Sequence, residues 1–222
     1  QRITTDELLG ALEKTSRQAQ RAGQIIQRIR AFVKRSEPNP TVSDVAQMVS
    51  NAIELADIEL RRHQVRLSPY VAARLPNLMV DPILIEQVLI NLMKNAGEAI
   101  AEARRPPAER YVELRVGPRR HDDQDVIEFE VRDSGKGVPA DMIDRIYEAF
   151  YSTKSEGMGI GLKLCRSIVE SHHGRMRVEN IYNGEDVVGC CFSFWIPIAS
   201  RLQPQAADAA ASQTLTDTER AR

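Results

Sequence analysis

At 222 residues, 42% hydrophobic and 27% charged, the chain is long enough for one well-buried core and a smaller appendage. Its 30 basic and 31 acidic residues leave a net charge of −1, which excludes a bulk electropositive surface, and no nucleic-acid partner is expected. No run approaches the ~18 consecutive apolar residues of a membrane span and no signal-peptide pattern opens the chain, so a cytoplasmic location is expected, with membrane anchoring of a longer parent left open.

From Leu8 the apolar or small positions Leu8, Leu12, Thr15, Ala19, Ala22, Ile26, Ile29 and Val33 alternate steps of four and three, a heptad seam. Leu9, Ile25 and Phe32 broaden it, which suits a bundle of several helices; the alternative is one amphipathic helix laid on its own domain. The pattern stops at Pro38 and Pro40, so 36–40 reads as a hinge. Because the chain opens at Gln1 inside this pattern, a fragment of a longer protein is expected.

Thr41 and Asp44 are spaced for a capping box opening a helix over 44–62, with Val45, Val49, Ala52, Ile53 and Ala56 inward. Short strands are expected over 65–71 and 78–80. Asp81-Pro82 then supplies an N-cap and a first-turn proline for a helix to about Ala103. Residues 111–116 and 126–133 alternate like half-buried strands, with His121-Asp122-Asp123 as the tip of the hairpin between them. After the long glycine-punctuated stretch 135–161 come a helix over 162–173, ended by Gly174, and strands over 176–181 and 190–198. Beyond Ser200 there is no periodicity, and a disordered tail is expected over 201–222. Arg104-Arg105 and Arg119-Arg120-His121 read as solvated loop charges, and Cys165, Cys190 and Cys191, without Cys-x-x-Cys spacing, as reduced and mostly buried thiols. This order predicts an α/β protein: a two-layer α/β sandwich with a mixed sheet and helices on one face, preceded by a long heptad-patterned helix.

Within the helix after Asp81, Gln87, Asn91 and Asn95 lie four apart on one face. Amides among leucines and valines are costly to bury unless something bonds them, and neutral oxygens suit Mg²⁺, which takes few protein ligands; a polar pair between helices is the alternative. Asp133-Ser134-Gly135-Lys136-Gly137 places a carboxylate at a strand end, able to accept from an exocyclic amine, beside glycines that let the backbone approach a flat ring. Gly157-Met158-Gly159-Ile160-Gly161-Leu162 sets glycines before a helix, where N–H groups and the helix dipole favour phosphate, and Tyr147-Glu148-Ala149-Phe150-Tyr151-Ser152-Thr153-Lys154 offers a lysine to a terminal phosphate.

In order and spacing these pieces resemble the N, G1, F and G2 boxes of sensor histidine kinases, within the Bergerat-fold ATPase superfamily that also holds gyrase and certain chaperones. The resemblance covers roughly residues 8 to 198. It implies the Bergerat fold, with ATP and Mg²⁺ bound by this chain. On it, Asn95 is the Mg²⁺ ligand, Asn91 assists, and Lys94 lies near the phosphates. Asp133 is the adenine-binding aspartate, with Gly135, Gly137 and Val138 shaping its pocket. Phe150, Thr153 and Lys154 belong to the lid, with Gly157, Met158, Gly159, Ile160, Gly161 and Leu162 at its phosphate-facing end. The strand 188–192 closes the pocket.

The pattern departs from the family's at three places: Tyr147-Glu148-Ala149-Phe150 replaces the usual Phe-x-Pro-Phe, Cys190 stands where a threonine commonly helps hold adenine, and the lid between Lys154 and Gly157 is very short, as in nitrogen- and oxygen-sensing kinases. The resemblance also implies transfer of the γ-phosphoryl group to a histidine in a His-Glu context on a dimeric bundle, then relay to a response regulator's receiver domain. No His-Glu pair occurs here, and His63, His121, His172 and His173 read as structural or surface residues, with a cation at 172–173 favouring the helix dipole. The heptad segment, with Arg21-Ala22-Gly23-Gln24-Ile25-Ile26, is similar to the second helix of that bundle. Residues 1–37 are therefore expected to be half of a homodimerisation bundle, 38–200 the catalytic ATP-binding domain, and the acceptor helix to lie upstream. The competing expectations are an ATPase of the gyrase or mismatch-repair kind, a class that normally has a glutamate base where Asn91 stands, and a nucleotide-free scaffold.

Overall fold

The computed structural model describes residues 38–143, 145–148 and 159–198. The heptad segment 1–37, the tail 201–222 and the expected lid residues Phe150, Thr153, Lys154, Gly157 and Met158 lie outside the described residues. Among the described residues no helix is long and apolar enough to cross a membrane.

The first element corrects an expectation. Thr41 is not half of a capping box: Thr41–Ser43 form strand β1, and Asp44 by itself caps helix α1 (Val45–Arg62), accepting from Gln47 N–H at 3.0 Å. One aspartate satisfies the orphan donor, which frees the preceding residues to pair. They do so antiparallel to β3 (Leu78–Val80) as a separate two-stranded sheet. Helix α1 buries Val45, Met48, Val49, Ala52, Ala56 and Leu60, a 3.6-residue stripe, and Ile53 is half-buried beside it. Helix α2 (Pro82–Glu102) starts as its Asp-Pro signal requires: Asp81 Oδ1 accepts from the N–H groups of Ile83 and Leu84 at 3.1 and 3.2 Å. Gly97 lets the two helices approach, since a Cβ there would sit 2.9 Å from Leu60 Cδ2.

The main sheet has strand order β2-β4-β5-β7-β6, with β2 (Arg66–Val71), β4 (Tyr111–His121), β5 (Gln124–Asp133), β6 (Arg175–Asn183) and β7 (Asp186–Pro197). Only β2 and β4 run parallel, so the sheet is mixed as expected. Leu114, Phe129 and Phe194 turn inward beneath α1, α2 and α3 (Gly161–Ser171), the rings of Phe129 and Phe194 stacked at 4.6 Å. The opposite face carries Glu113, Arg115, Glu128, Glu130 and Arg132, giving the two-layer arrangement of helices on one face.

Several strands run longer than their hydrophobic alternation. The β4–β5 ladder continues to His121↔Gln124 and closes through a two-residue turn whose members, Asp122 and Asp123, both have positive φ (50° and 62°). There the outer face is polar, with Glu128 taking Arg119 and His121, so the pairing persists where the apolar signal ends. His121 also stacks on Trp195 at 4.3 Å.

His172 is structural, as expected, but in a different way. It is buried at 5% exposure rather than a helix-end cation: Nε2 accepts from Asp81 N–H at 3.0 Å and Nδ1 donates to the Ile168 carbonyl at 2.8 Å. The ring ties the end of α3 to the cap of α2.

Candidate nucleotide-binding site

On α2 the amide face lies between two other elements. Gln87 at its start is exposed, while Asn91, Lys94 and Asn95 are half-buried. Asn91 Nδ2 donates to Cys165 Sγ on α3 at 3.1 Å, and the amide lies against Gly161, where a Cβ would come within 3.0 Å of Nδ2 and 3.1 Å of Oδ1. Two turns further along the same face, Ala99 touches the loop after β5: a Cβ on Gly135 would lie 3.0 Å from Ala99 Cβ. The face Asn91-Asn95-Ala99 therefore spans from the start of α3 to the Asp133 loop, about 12 Å for two helical turns, with Asn95 midway.

At the first end, α3 begins at Gly161 with Ile160 as its cap, among the described residues no side chain bonds its first N–H groups, and Gly159 before it has φ of 63°. N–H donors at a helix start, with the helix dipole behind them, suit an anion. Leu162 is half-buried against the core and anchors that turn.

At the other end Asp133 closes β5, opposite Val112 and Cys190, and is 4% exposed. Its Oδ1 accepts from Gly135 N–H at 2.7 Å. Burial pushes this carboxyl from the ordinary 3.8 up to about 6, against the pull of the Gly135 and Cys190 N–H groups and the Arg105 guanidinium. Gly137 has φ of 73° and packs where a Cβ would strike Val187. Asn180 clamps Val138 on both sides, its Oδ1 accepting from Val138 N–H at 2.8 Å and its Nδ2 donating to Val138 O at 2.7 Å. Ser134 fixes the loop from the other flank, donating to Glu109 O at 2.7 Å and accepting from Tyr111 N–H at 3.1 Å.

Sequence reasoning missed Asn180 and gave Ser134, Cys165, Gly189 and Arg105 no individual role at the site. Gly189 had a readable signal, since a glycine inside a strand marks close backbone approach; a Cβ there would fall on the Asp133 carbonyl oxygen, at 1.9 Å. Arg105 overturns the expectation of a solvated loop charge. Its Nη2 donates to Val188 O at 3.2 Å, Nη1 faces Glu109 at 3.6 Å, and Nε is buried without a partner among the described residues. The guanidinium thus holds the start of β7 beside Asp133. Arg105→Met is expected to cost about 1–2 kcal/mol of stability and to move Asp133 further up; chemical denaturation and an NMR titration of that carboxyl check both.

The three cysteines are free, with Cys165 and Cys190 buried and Cys191 half-buried. Burial pushes the Cys165 thiol up to about 12, so it meets Asn91 as a neutral thiol.

A helix face of amides joining a glycine-led helix start to a buried aspartate has relatives. Residues 80–200 match the family described as histidine kinase-, DNA gyrase B-, and HSP90-like ATPase, and the chain belongs to that family. The chain is 40% identical over 167 residues to the C4-dicarboxylate transport sensor protein DctS of Rhodobacter capsulatus, covering 75% of this chain and 24% of that protein. It is 39% identical over 197 residues to the sensor protein FixL of Bradyrhizobium diazoefficiens, covering 88% and 36%. Among solved structures, the catalytic domain of histidine kinase ThkA aligns over 72% of this chain and 95% of that one, at 25% identity and a TM-score of 0.56. The described domain is an ATP-binding catalytic domain of the kind sensor histidine kinases carry. The chain spans only 24% and 36% of the length of the two relatives named.

Proposed function

We propose that this chain donates the γ-phosphoryl group of ATP to a histidine on a dimerisation helix outside it, for relay to a response regulator's receiver domain. The observation that carries the reading is the α2 face, with Gly161 packed on Asn91 at one end and Gly135 on Ala99 at the other. Adenine fits the Asp133 end, where the carboxylate accepts from the exocyclic amine and Gly135, Gly137 and Val138 form the wall. Phosphates fit the Gly161 end, with Gly159, Ile160 and Leu162 shaping the helix start and Lys94 one residue before Asn95.

The amide oxygens of Asn95, with Asn91 assisting, suit Mg²⁺, a hard cation that takes one or two protein oxygens and leaves its other positions to phosphate and water. When bound, the ion would neutralise charge on the phosphates. The chain's own residues orient the nucleotide and supply fixed donors, so their contribution is positioning and electrostatics rather than covalent chemistry.

The receiving histidine is none of the four in this sequence. His172 is locked between Asp81 and Ile168, His121 lies under Trp195, and His63 and His173 sit at helix ends. In this reading residues 38–200 are the catalytic unit, residues 1–37 belong to a homodimerising bundle, and the domain works in the cytoplasm.

The ATPase alternative needs a base where Asn91 stands, and an amide whose nitrogen donates to Cys165 cannot take a proton from water. Steady-state ATP turnover is therefore expected to stay below ~0.1 s⁻¹, at the slow edge of the enzyme range. A faster phosphate release in a coupled assay would favour the ATPase.

A further inference from the structure

Helix α3 meets α2 with two small residues on one face, Gly161 and, one turn on, Cys165. Both touch the same side chain. The Asn91 amide lies flat on Gly161, where a Cβ would stand 3.0 Å from Nδ2 and 3.1 Å from Oδ1, so that contact favours neither end of the amide. Cys165 decides between them. Its sulfur, on a side chain buried at 2% exposure, accepts from Asn91 Nδ2 at 3.1 Å. Nitrogen and oxygen sit on opposite sides of the amide carbon, so a bond that holds Nδ2 against the second turn of α3 turns Oδ1 away from it.

The orientation matters at a cation site because the two ends of an amide have opposite character: the oxygen is an acceptor, while the nitrogen carries hydrogens that repel a positive ion. Buried cysteine packs as a small hydrophobe, so valine would fill the same place in the core, but valine could not accept the amide. We propose that Cys165 is a positioning residue for the nucleotide site, its sulfur selecting the orientation of Asn91 that offers Oδ1 to Mg²⁺-bound ATP. The proposal rests on reading the α2 face as the Mg-ATP site, with Asn91 assisting Asn95.

The test compares the whole chain with Cys165→Ser, which keeps an acceptor, and Cys165→Val, which keeps the apolar packing. Two quantities are read: thermal melting without nucleotide, and calorimetric binding of a non-hydrolysable ATP analogue with Mg²⁺. The expected rankings are opposite. Cys165→Val melts higher than Cys165→Ser, whose hydroxyl is buried in the core, yet it binds the analogue about fivefold more weakly than the unsubstituted chain, the loss of one neutral hydrogen bond. Cys165→Ser binds within about twofold of the unsubstituted chain, because the hydroxyl still accepts. On an Asn91→Ala background Cys165→Val has no further effect on binding, as two residues acting through one bond require. Affinities that follow the melting temperatures overturn the proposal, the mark of a packing role. So does full affinity in Cys165→Val, or a loss that persists without the Asn91 amide. Failure of the unsubstituted chain to bind the analogue overturns the ATP reading itself, and is told apart because it appears before any substitution.

Discussion

Asn95→Ala is expected to weaken Mg-ATP binding about a hundredfold, close to 3 kcal/mol, while the empty protein still folds. Asn95 lies midway along the α2 face, one turn from the amide that packs on Gly161 and one turn from the alanine that meets Gly135. The neighbours that bury α2, Leu92, Met93 and Ala96, face the core and are untouched by the change. Truncation would remove a neutral oxygen from the position where, in the proposed reading, both halves of a nucleotide converge, and helix propensity favours alanine over asparagine. Titration calorimetry with and without Mg²⁺ checks it; undiminished affinity would remove Asn95 from the site.

Asp133→Asn is expected to weaken nucleotide binding about thirtyfold, the value of a charge-assisted hydrogen bond to the exocyclic amine, and to stabilise the empty protein above neutral pH. The second effect follows from linkage. The carboxyl titrates at about 6 in the fold against an ordinary 3.8, so the folded state holds its proton more tightly than the unfolded chain does. Its contribution to stability is fully present below about pH 4 and is lost as pH rises through about 6. Near pH 8 the buried carboxylate costs about 3 kcal/mol relative to its acid form. Nucleotide affinity has the opposite slope, because only the ionised carboxyl accepts without competing as a donor: it climbs as pH rises through about 6. The Asp133→Asn variant should lose both slopes, which also separates them from the nucleotide's own phosphate titration. Melting curves and binding isotherms from pH 5 to pH 8 check this prediction.

The carboxylate is thus held ionised at a cost to the fold, and this could not be read from Asp-Ser-Gly-Lys-Gly alone. The motif placed a carboxyl at a strand end. Its burial comes from β4 and β7 flanking it and from Gly189, whose missing side chain admits the Asp133 carbonyl. Long-range backbone approach of that kind has no local signature beyond the glycine itself. Helices α1 and α2 were legible because their apolar stripes are local, and the Asp81-Pro82 start of α2 is bonded as its residues predict. Strand β1 was not, since three residues show no period and its partner β3 lies far along the chain. The same limit hid Arg105. Next to Arg104 it looks like one more loop charge, and only the fold brings it under Val188. The amides of α2 were visible as a pattern, but the thiol that holds Asn91 comes from α3, a contact no spacing within α2 encodes.

The most direct test of the central claim supplies the chain with γ-labelled ATP, Mg²⁺ and a separately prepared dimerisation bundle bearing a histidine in a His-Glu context. The account predicts label on that histidine, stable to base and labile to acid, absent without Mg²⁺ and absent with the Asn95→Ala variant. Release of the label as free phosphate, with none on the bundle, would contradict it.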